Sequence, residues 1–136
     1  MTLEKPHIIE FNQIGRPEIG YLSVAEPSGF VPFEIRRVYW SYYTPHHITR
    51  GRHAHYKLEQ VLVAVSGIIT VTVELVGGST EDFVLNRPNL GLYLPPKAWH
   101  IMEFSHNGVL MSLASMEYDE SDYIRDYEQF LELDER

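Results

Sequence analysis

One short stretch limits what this chain can fold into: His53-Ala54-His55, followed within a few residues by the apolar, β-branched run Gln60-Val61-Leu62-Val63-Ala64-Val65 and the turn pair Ser66-Gly67. On an extended strand successive side chains point to opposite faces, so His53 and His55 share a face and Ala54 lies behind them. If that face lines a barrel or a cleft, two adjacent imidazoles suit proton transfer near neutral pH, where histidine alone titrates unperturbed. An exposed His-x-His on a strand edge fits the spacing equally well. The run after the pair favours the first reading, because a β-branched segment closed by a turn is the pattern of a buried strand.

Extended segments account for most of the remaining chain. Residues 7–11 predict a short first strand, and Gly15, Pro17 and Gly20 a loop before extended structure resumes at residues 21–25. Residues 35–43 predict an aromatic strand with Arg37, Tyr39 and Ser41 on its more polar face and Arg36, Val38, Trp40 and Tyr42 on the other. Residues 68–75 alternate, and Ser66-Gly67 predicts a hairpin back to the preceding run. Gly77-Gly78 predicts a second hairpin, to residues 81–85, and residues 90–94 form a strand that stops at Pro95-Pro96. Residues 99–104 follow, with Asn107-Gly108 predicting a third hairpin to residues 109–114. Many short strands without intervening helices indicate an all-β sandwich or barrel. The period changes from Asp119 onward, where Tyr123, Ile124, Tyr127, Phe130 and Leu131 fall on a helical stripe with acidic residues early, predicting a C-terminal α-helix packed outside the sheet.

Composition narrows the chemistry. At 136 residues the chain is expected to form a single domain over residues 1–136. No apolar run approaches the length of a membrane span, and residues 1–6 lack a basic region leading into an apolar stretch, so a cytoplasmic location is expected. The absence of cysteine removes disulfides, thiolate metal sites and cysteine nucleophiles together. A formal charge of -8 argues against a nucleic-acid footprint, while leaving room for a local basic pocket that takes a phosphorylated small molecule.

The pattern of His53, His55 and Gln60 from one motif and His100 from a second, after Pro95-Pro96-Lys97-Ala98-Trp99, resembles the cupins. The fold this implies is a small double-stranded β-helix, or jelly-roll barrel, with the C-terminal helix added. Gln60 stands where metal-binding cupins usually carry a carboxylate, and a neutral amide compensates less of a divalent ion's charge. More narrowly, the chain resembles the cofactor-free, WxcM-like nucleotide-sugar 3,4-ketoisomerases that act on dTDP-4-keto-6-deoxyglucose. The residues that carry this likeness are Ile35-Arg36-Arg37-Val38-Tyr39, Arg50-Gly51-Arg52-His53-Ala54-His55, Leu58-Glu59-Gln60-Val61-Leu62-Val63, the segment from Gly91 to His100, and Tyr118-Asp119-Glu120-Ser121-Asp122-Tyr123-Ile124-Arg125.

The resemblance implies a reaction that moves the keto group from C4 to C3 through an enediolate, in the biosynthesis of dTDP-3-amino-deoxysugars such as those of O-antigens and S-layers. It implies His55 as the main base, His53 as its partner and Tyr39 as a shaping group. Arg37, Arg50 and His100 are implied on the substrate side, Arg50 facing the diphosphate through the bidentate bonds a guanidinium can make. It also implies no cofactor, no metal, and a homodimer with exchanged N-terminal strands. Two other readings remain open on sequence: a metal-dependent cupin enzyme, and a non-catalytic nucleotide-sugar-binding cupin module. His7, His46, His47 and His106 lie in terminal or loop positions and are expected to be solvated.

Overall fold

The computed structural model describes residues 4–133, so the first three residues of the segment inspected for an export signal lie outside it. In chain order the strands are β1 (His7–Glu10), β2 (Ile14–Arg16), β3 (Gly20–Leu22), β4 (Arg37–Ser41), β5 (Thr49–His55), β6 (Gln60–Ser66), β7 (Ile69–Leu75), β8 (Thr80–Leu85), β9 (Leu90–Leu94), β10 (Ala98–Phe104), β11 (Val109–Ala114) and β12 (Tyr123–Ile124). A single helical turn over Glu120–Asp122 precedes β12, and a short helix α1 (Tyr127–Leu131) follows it. Two five-stranded antiparallel sheets, ordered β1-β9-β6-β11-β4 and β12-β5-β10-β7-β8, pack face to face as the jelly roll that the cupin resemblance implies. The hairpin β2-β3 stands apart from both.

Alternation places the core. Leu62 and Ala64 of β6, Ile69, Val71 and Val73 of β7, Leu92 and Leu94 of β9, and Met102 and Phe104 of β10 all point between the sheets and are almost fully buried. On the outer face of the first sheet Val61, Val63, Tyr93 and Leu113 pack under Ile9, Phe11 and Val31. On the outer face of the second, Ala54, Trp99, Ile124 and Phe130 form a separate cluster that seats α1.

Local turn signals misplace two hairpins. β6 pairs with β9 and β11, whereas β7 pairs with β8 and β10, so Ser66-Gly67 carries the chain from one sheet to the other. The same holds at Asn107-Gly108: β10 and β11 lie in different sheets, and neither residue has the positive φ that the tight Asn-Gly hairpin turn requires. The Gly77-Gly78 hairpin forms as expected, with both glycines at positive φ and β7 paired to β8. The loop expected around Gly15 to Gly20 is instead the hairpin β2-β3, in register from Ile14 opposite Leu22 to Arg16 opposite Gly20.

The C-terminal helix is shorter than its stripe predicts. Asp119 does cap a turn, accepting from the Ser121 N–H, but the backbone is extended again at Tyr123. Tyr123 and Ile124 pair with His55 and Ala54 at the edge of the second sheet, and Ile124 is wholly buried there. Satisfying an open sheet edge and burying Ile124 outweighs helix propensity, so the helix starts only after Asp126, whose side chain accepts from the Glu128 N–H.

Candidate active site

His53 and His55 project from β5 into the space between the sheets, and His100 joins them from β10, directly opposite His53 in the register. The ring centroids lie 5.1 Å apart for His53 and His55, 4.7 Å for His53 and His100, and 6.3 Å for His55 and His100. His53 Nδ1 donates to the Gly51 carbonyl at 3.2 Å and His100 Nδ1 to the Ala98 carbonyl at 3.1 Å. A carbonyl can only accept, so in each neutral ring Nε2 carries the lone pair. Among the described residues, neither ring nitrogen of the buried His55 has a hydrogen-bond partner.

Burial holds all three imidazoles neutral. It lowers His53, pulls His100 down to about 3 with the help of His53, and pulls His55 down to about 2 with the help of His100, His53, Arg37 and Arg125. The carboxylate beside them is Asp122, whose Oδ2 lies 3.8 Å from His55 Nδ1. That is too long for a hydrogen bond. Asp122 is itself buried and held by main-chain donors: Oδ1 accepts from the Lys57 N–H at 2.9 Å and Oδ2 from the Leu58 N–H at 3.1 Å.

The C-terminal segment closes over the histidines. The Tyr123 ring lies 4.3 Å from that of His55 and 5.2 Å from that of His53. Arg125 sits over the Tyr123 ring at 4.1 Å and makes an ion pair with Glu120, which also accepts from the Tyr118 hydroxyl. Arg37 lies between the rings of Tyr39 and Tyr118, at 5.2 and 5.7 Å, with its Nε buried and unpartnered. The helical stripe expected from Asp119 onward assigns no role to Asp122 or Tyr123, which lie in a 3-10 turn and in β12. An extended Tyr-Ile pair with β-forming side chains was the available signal.

A bulge decides where Arg50 goes. Strict alternation on β5 would put Arg50 on the face opposite His53, but the pairing slips between His100 opposite His53 and Ile101 opposite Gly51, with Gly51 and Arg52 both at positive φ. Arg50 therefore lies opposite Met102, on the histidine face, with its side chain exposed. Gly51 is required here, since a Cβ would lie 2.8 Å from the His100 carbonyl oxygen.

Tyr39 and Ser112 face each other on β4 and β11 and meet Gln60 from β6. The Tyr39 hydroxyl donates to Gln60 Oε1 at 2.6 Å and the Ser112 hydroxyl to the same oxygen at 2.8 Å. Two donors thus occupy the amide oxygen that the cupin pattern would turn toward a metal. Among the described residues, no group of three or more His, Cys, Asp or Glu is arranged to hold a metal ion. His46, His47 and His106 are exposed, and His7 is exposed on β1 with its ring 5.2 Å from that of Tyr93.

A family model described as FdtA, WxcM-like, C-terminal, matches residues 4–135. The chain is 45% identical over 112 residues to TDP-4-oxo-6-deoxy-alpha-D-glucose-3,4-oxoisomerase of Aneurinibacillus thermoaerophilus, covering 82% of this chain and 80% of that protein. Among solved structures it is similar to a histidine-to-asparagine variant of the 3,4-ketoisomerase QdtA from Thermoanaerobacterium thermosaccharolyticum in complex with TDP-4-keto-6-deoxyglucose, with a TM-score of 0.89 at 36% identity over 96% of this chain and 94% of that one. It is also similar to the WlaRB TDP-quinovose 3,4-ketoisomerase of Campylobacter jejuni, with a TM-score of 0.87 at 40% identity over 95% and 98% of the two chains.

Proposed function

We propose, from the premise that this chain belongs to the FdtA family, WxcM-like C-terminal, that it is a dTDP-4-keto-6-deoxyglucose 3,4-ketoisomerase. The observation that carries the reading is the set of neutral imidazoles gathered on one inner face, with both ring nitrogens of His55 unpartnered among the described residues. Moving the carbonyl from C4 to C3 requires loss of the C3 hydrogen as a proton, an enediolate across C3 and C4, and return of a proton to C4. The proton on O3 is lost and one is gained on O4, so no electron leaves or enters the sugar. His55 takes the C3 proton and His53 serves the oxygens. The imidazolium so formed is disfavoured by burial and is compensated by the anionic enediolate formed beside it, with the Asp122 carboxylate 3.8 Å from Nδ1.

Arg37, on β4 of the first sheet, and Arg50, on β5 of the second, are the proposed contacts to the nucleotide diphosphate, with His100 beside the sugar. Residues 1–136 act in this proposal as one cupin unit in the cytoplasm; no helix among the described residues is long and apolar enough to cross a membrane, a statement that covers helices only. The test is proton NMR of dTDP-4-keto-6-deoxyglucose with the purified protein in deuterated buffer. The expected result is a carbonyl shift from C4 to C3 with solvent deuterium at C4, and dTDP binding tighter than thymidine. Unchanged substrate with dTDP still bound would leave only the binding-module reading.

A homodimer belongs to the same proposal. β1 fills the edge of β9 from His7 opposite Tyr93 to Glu10 opposite Leu90, and the β1 of a second copy would satisfy the same register by exchange. Ile14, Leu22 and Trp40 are 54%, 58% and 61% exposed on the separate hairpin and on β4, apolar surface that a second copy would cover. Light scattering is expected to give twice the chain mass; an active monomer at micromolar concentration would remove the dimer.

A further inference from the structure

Gln60 is 1% exposed at the start of β6, and its amide oxygen receives both the Tyr39 and the Ser112 hydroxyl. An amide oxygen has two lone pairs, so its capacity is filled. A phenol has one hydrogen, and that hydrogen is spent on Gln60. What Tyr39 presents to the site is therefore a lone pair. We infer that Gln60 is a positioning residue which, by holding the phenol hydrogen of Tyr39, makes Tyr39 a hydrogen-bond acceptor for a hydroxyl of the bound sugar and prevents it from serving a carbonyl oxygen as a donor. This deepens the ketoisomerase reading and rests on it.

The choice of an amide at this position follows from the same chemistry. A carboxylate would accept the phenol hydrogen too, but it would bring a charge into a buried site and could take the proton outright. The amide oxygen can only accept. Tyr39 stays a neutral phenol, and burial, the largest influence on it, raises its proton affinity further. Substrate and product of the isomerisation differ in which of two adjacent carbons bears the hydroxyl. An acceptor of fixed direction therefore holds the ring with one particular carbon, the hydroxyl-bearing one, against Tyr39.

The test is a double-mutant cycle on turnover of dTDP-4-keto-6-deoxyglucose, with dTDP affinity and melting temperature measured on the same samples. Gln60→Met keeps the length and removes the acceptor; Tyr39→Phe removes the phenol oxygen. We expect Gln60→Met to lower kcat about tenfold with dTDP affinity unchanged, and the double variant to lie within about twofold of Tyr39→Phe alone, because the amide acts only through the phenol. A lower melting temperature is expected, since two buried hydroxyls lose their acceptor; losses in kcat that multiply in the double variant would overturn the inference, as would a fall in dTDP affinity that parallels the fall in kcat.

If Gln60→Met does not fold, Gln60→Glu decides. Its protonated form accepts both hydroxyl hydrogens at the carbonyl oxygen as the amide does, whereas its ionised form sets a charge beside the phenol, so its kcat should acquire a pH-dependent step that is absent from wild type and from the double variant Gln60→Glu with Tyr39→Phe. The same step with and without the phenol would overturn the inference. A wild-type protein that leaves the carbonyl at C4 would instead remove the function on which it rests.

Discussion

Replacing His55 with asparagine is expected to lower turnover by at least about a hundredfold while leaving dTDP affinity and melting temperature nearly unchanged. The separation of effects is the physical content of the prediction. A histidine that holds a core together does so through bonds from its ring, and those bonds are lost with it. His53 and His100 each tie Nδ1 to a backbone carbonyl, but both nitrogens of His55 are buried and unpartnered. Asparagine there removes the base and forfeits no hydrogen bond of the fold. Incorporation of solvent deuterium should fall with turnover, since both depend on the same proton removal. Full turnover in the variant would sink the assignment. A loss of folding without a specific loss of exchange would make His55 a structural residue.

Replacing Asp122 with asparagine is expected to act on both stability and rate. Its carboxylate is buried and accepts from the Lys57 and Leu58 N–H groups, pinning the β5-β6 connection to the C-terminal segment. An asparagine amide offers one oxygen and turns its own N–H groups toward the second donor, leaving buried donors face to face. That costs about 1–3 kcal/mol, visible as a lower melting temperature. The rate falls for a different reason: the imidazolium formed at His55 loses the carboxylate beside it, 3.8 Å from Nδ1. Per folded molecule, kcat and deuterium exchange should drop about tenfold or more, with KM little changed. If turnover per folded molecule stays at the wild-type level, the carboxylate serves the turn alone.

The position of nearly every strand and the grouping of the catalytic candidates were legible in the chain, because both depend on local periodicity. Alternation put His53 with His55 and Arg37 with Tyr39, and the Gly and Pro clusters bounded the runs between them. The likeness to nucleotide-sugar ketoisomerases, carried by motifs spread from Ile35 to Arg125, added the substrate and the all-β jelly roll. Beyond the β7-β8 hairpin at Gly77-Gly78, pairing was not legible. A turn such as Asn107-Gly108 is compatible with a hairpin, yet β10 and β11 join different sheets, because each gains two long-range neighbours there and the local pair would give it one. The helical stripe at Tyr123 and Ile124 gave way for the same kind of reason: the free edge of β5 and the pocket for Ile124 exist only in the assembled barrel. So does the bulge at Gly51 and Arg52, which brings Arg50 round to the histidine face against the count of residues. Gln60 shows the limit most plainly. Its side chain stands in the motif of a metal ligand, and only the convergence of β4, β6 and β11 reveals that its oxygen is given to Tyr39 and Ser112. A side chain's face follows from its own strand's geometry, whereas its partner follows from which strands the whole core brings together.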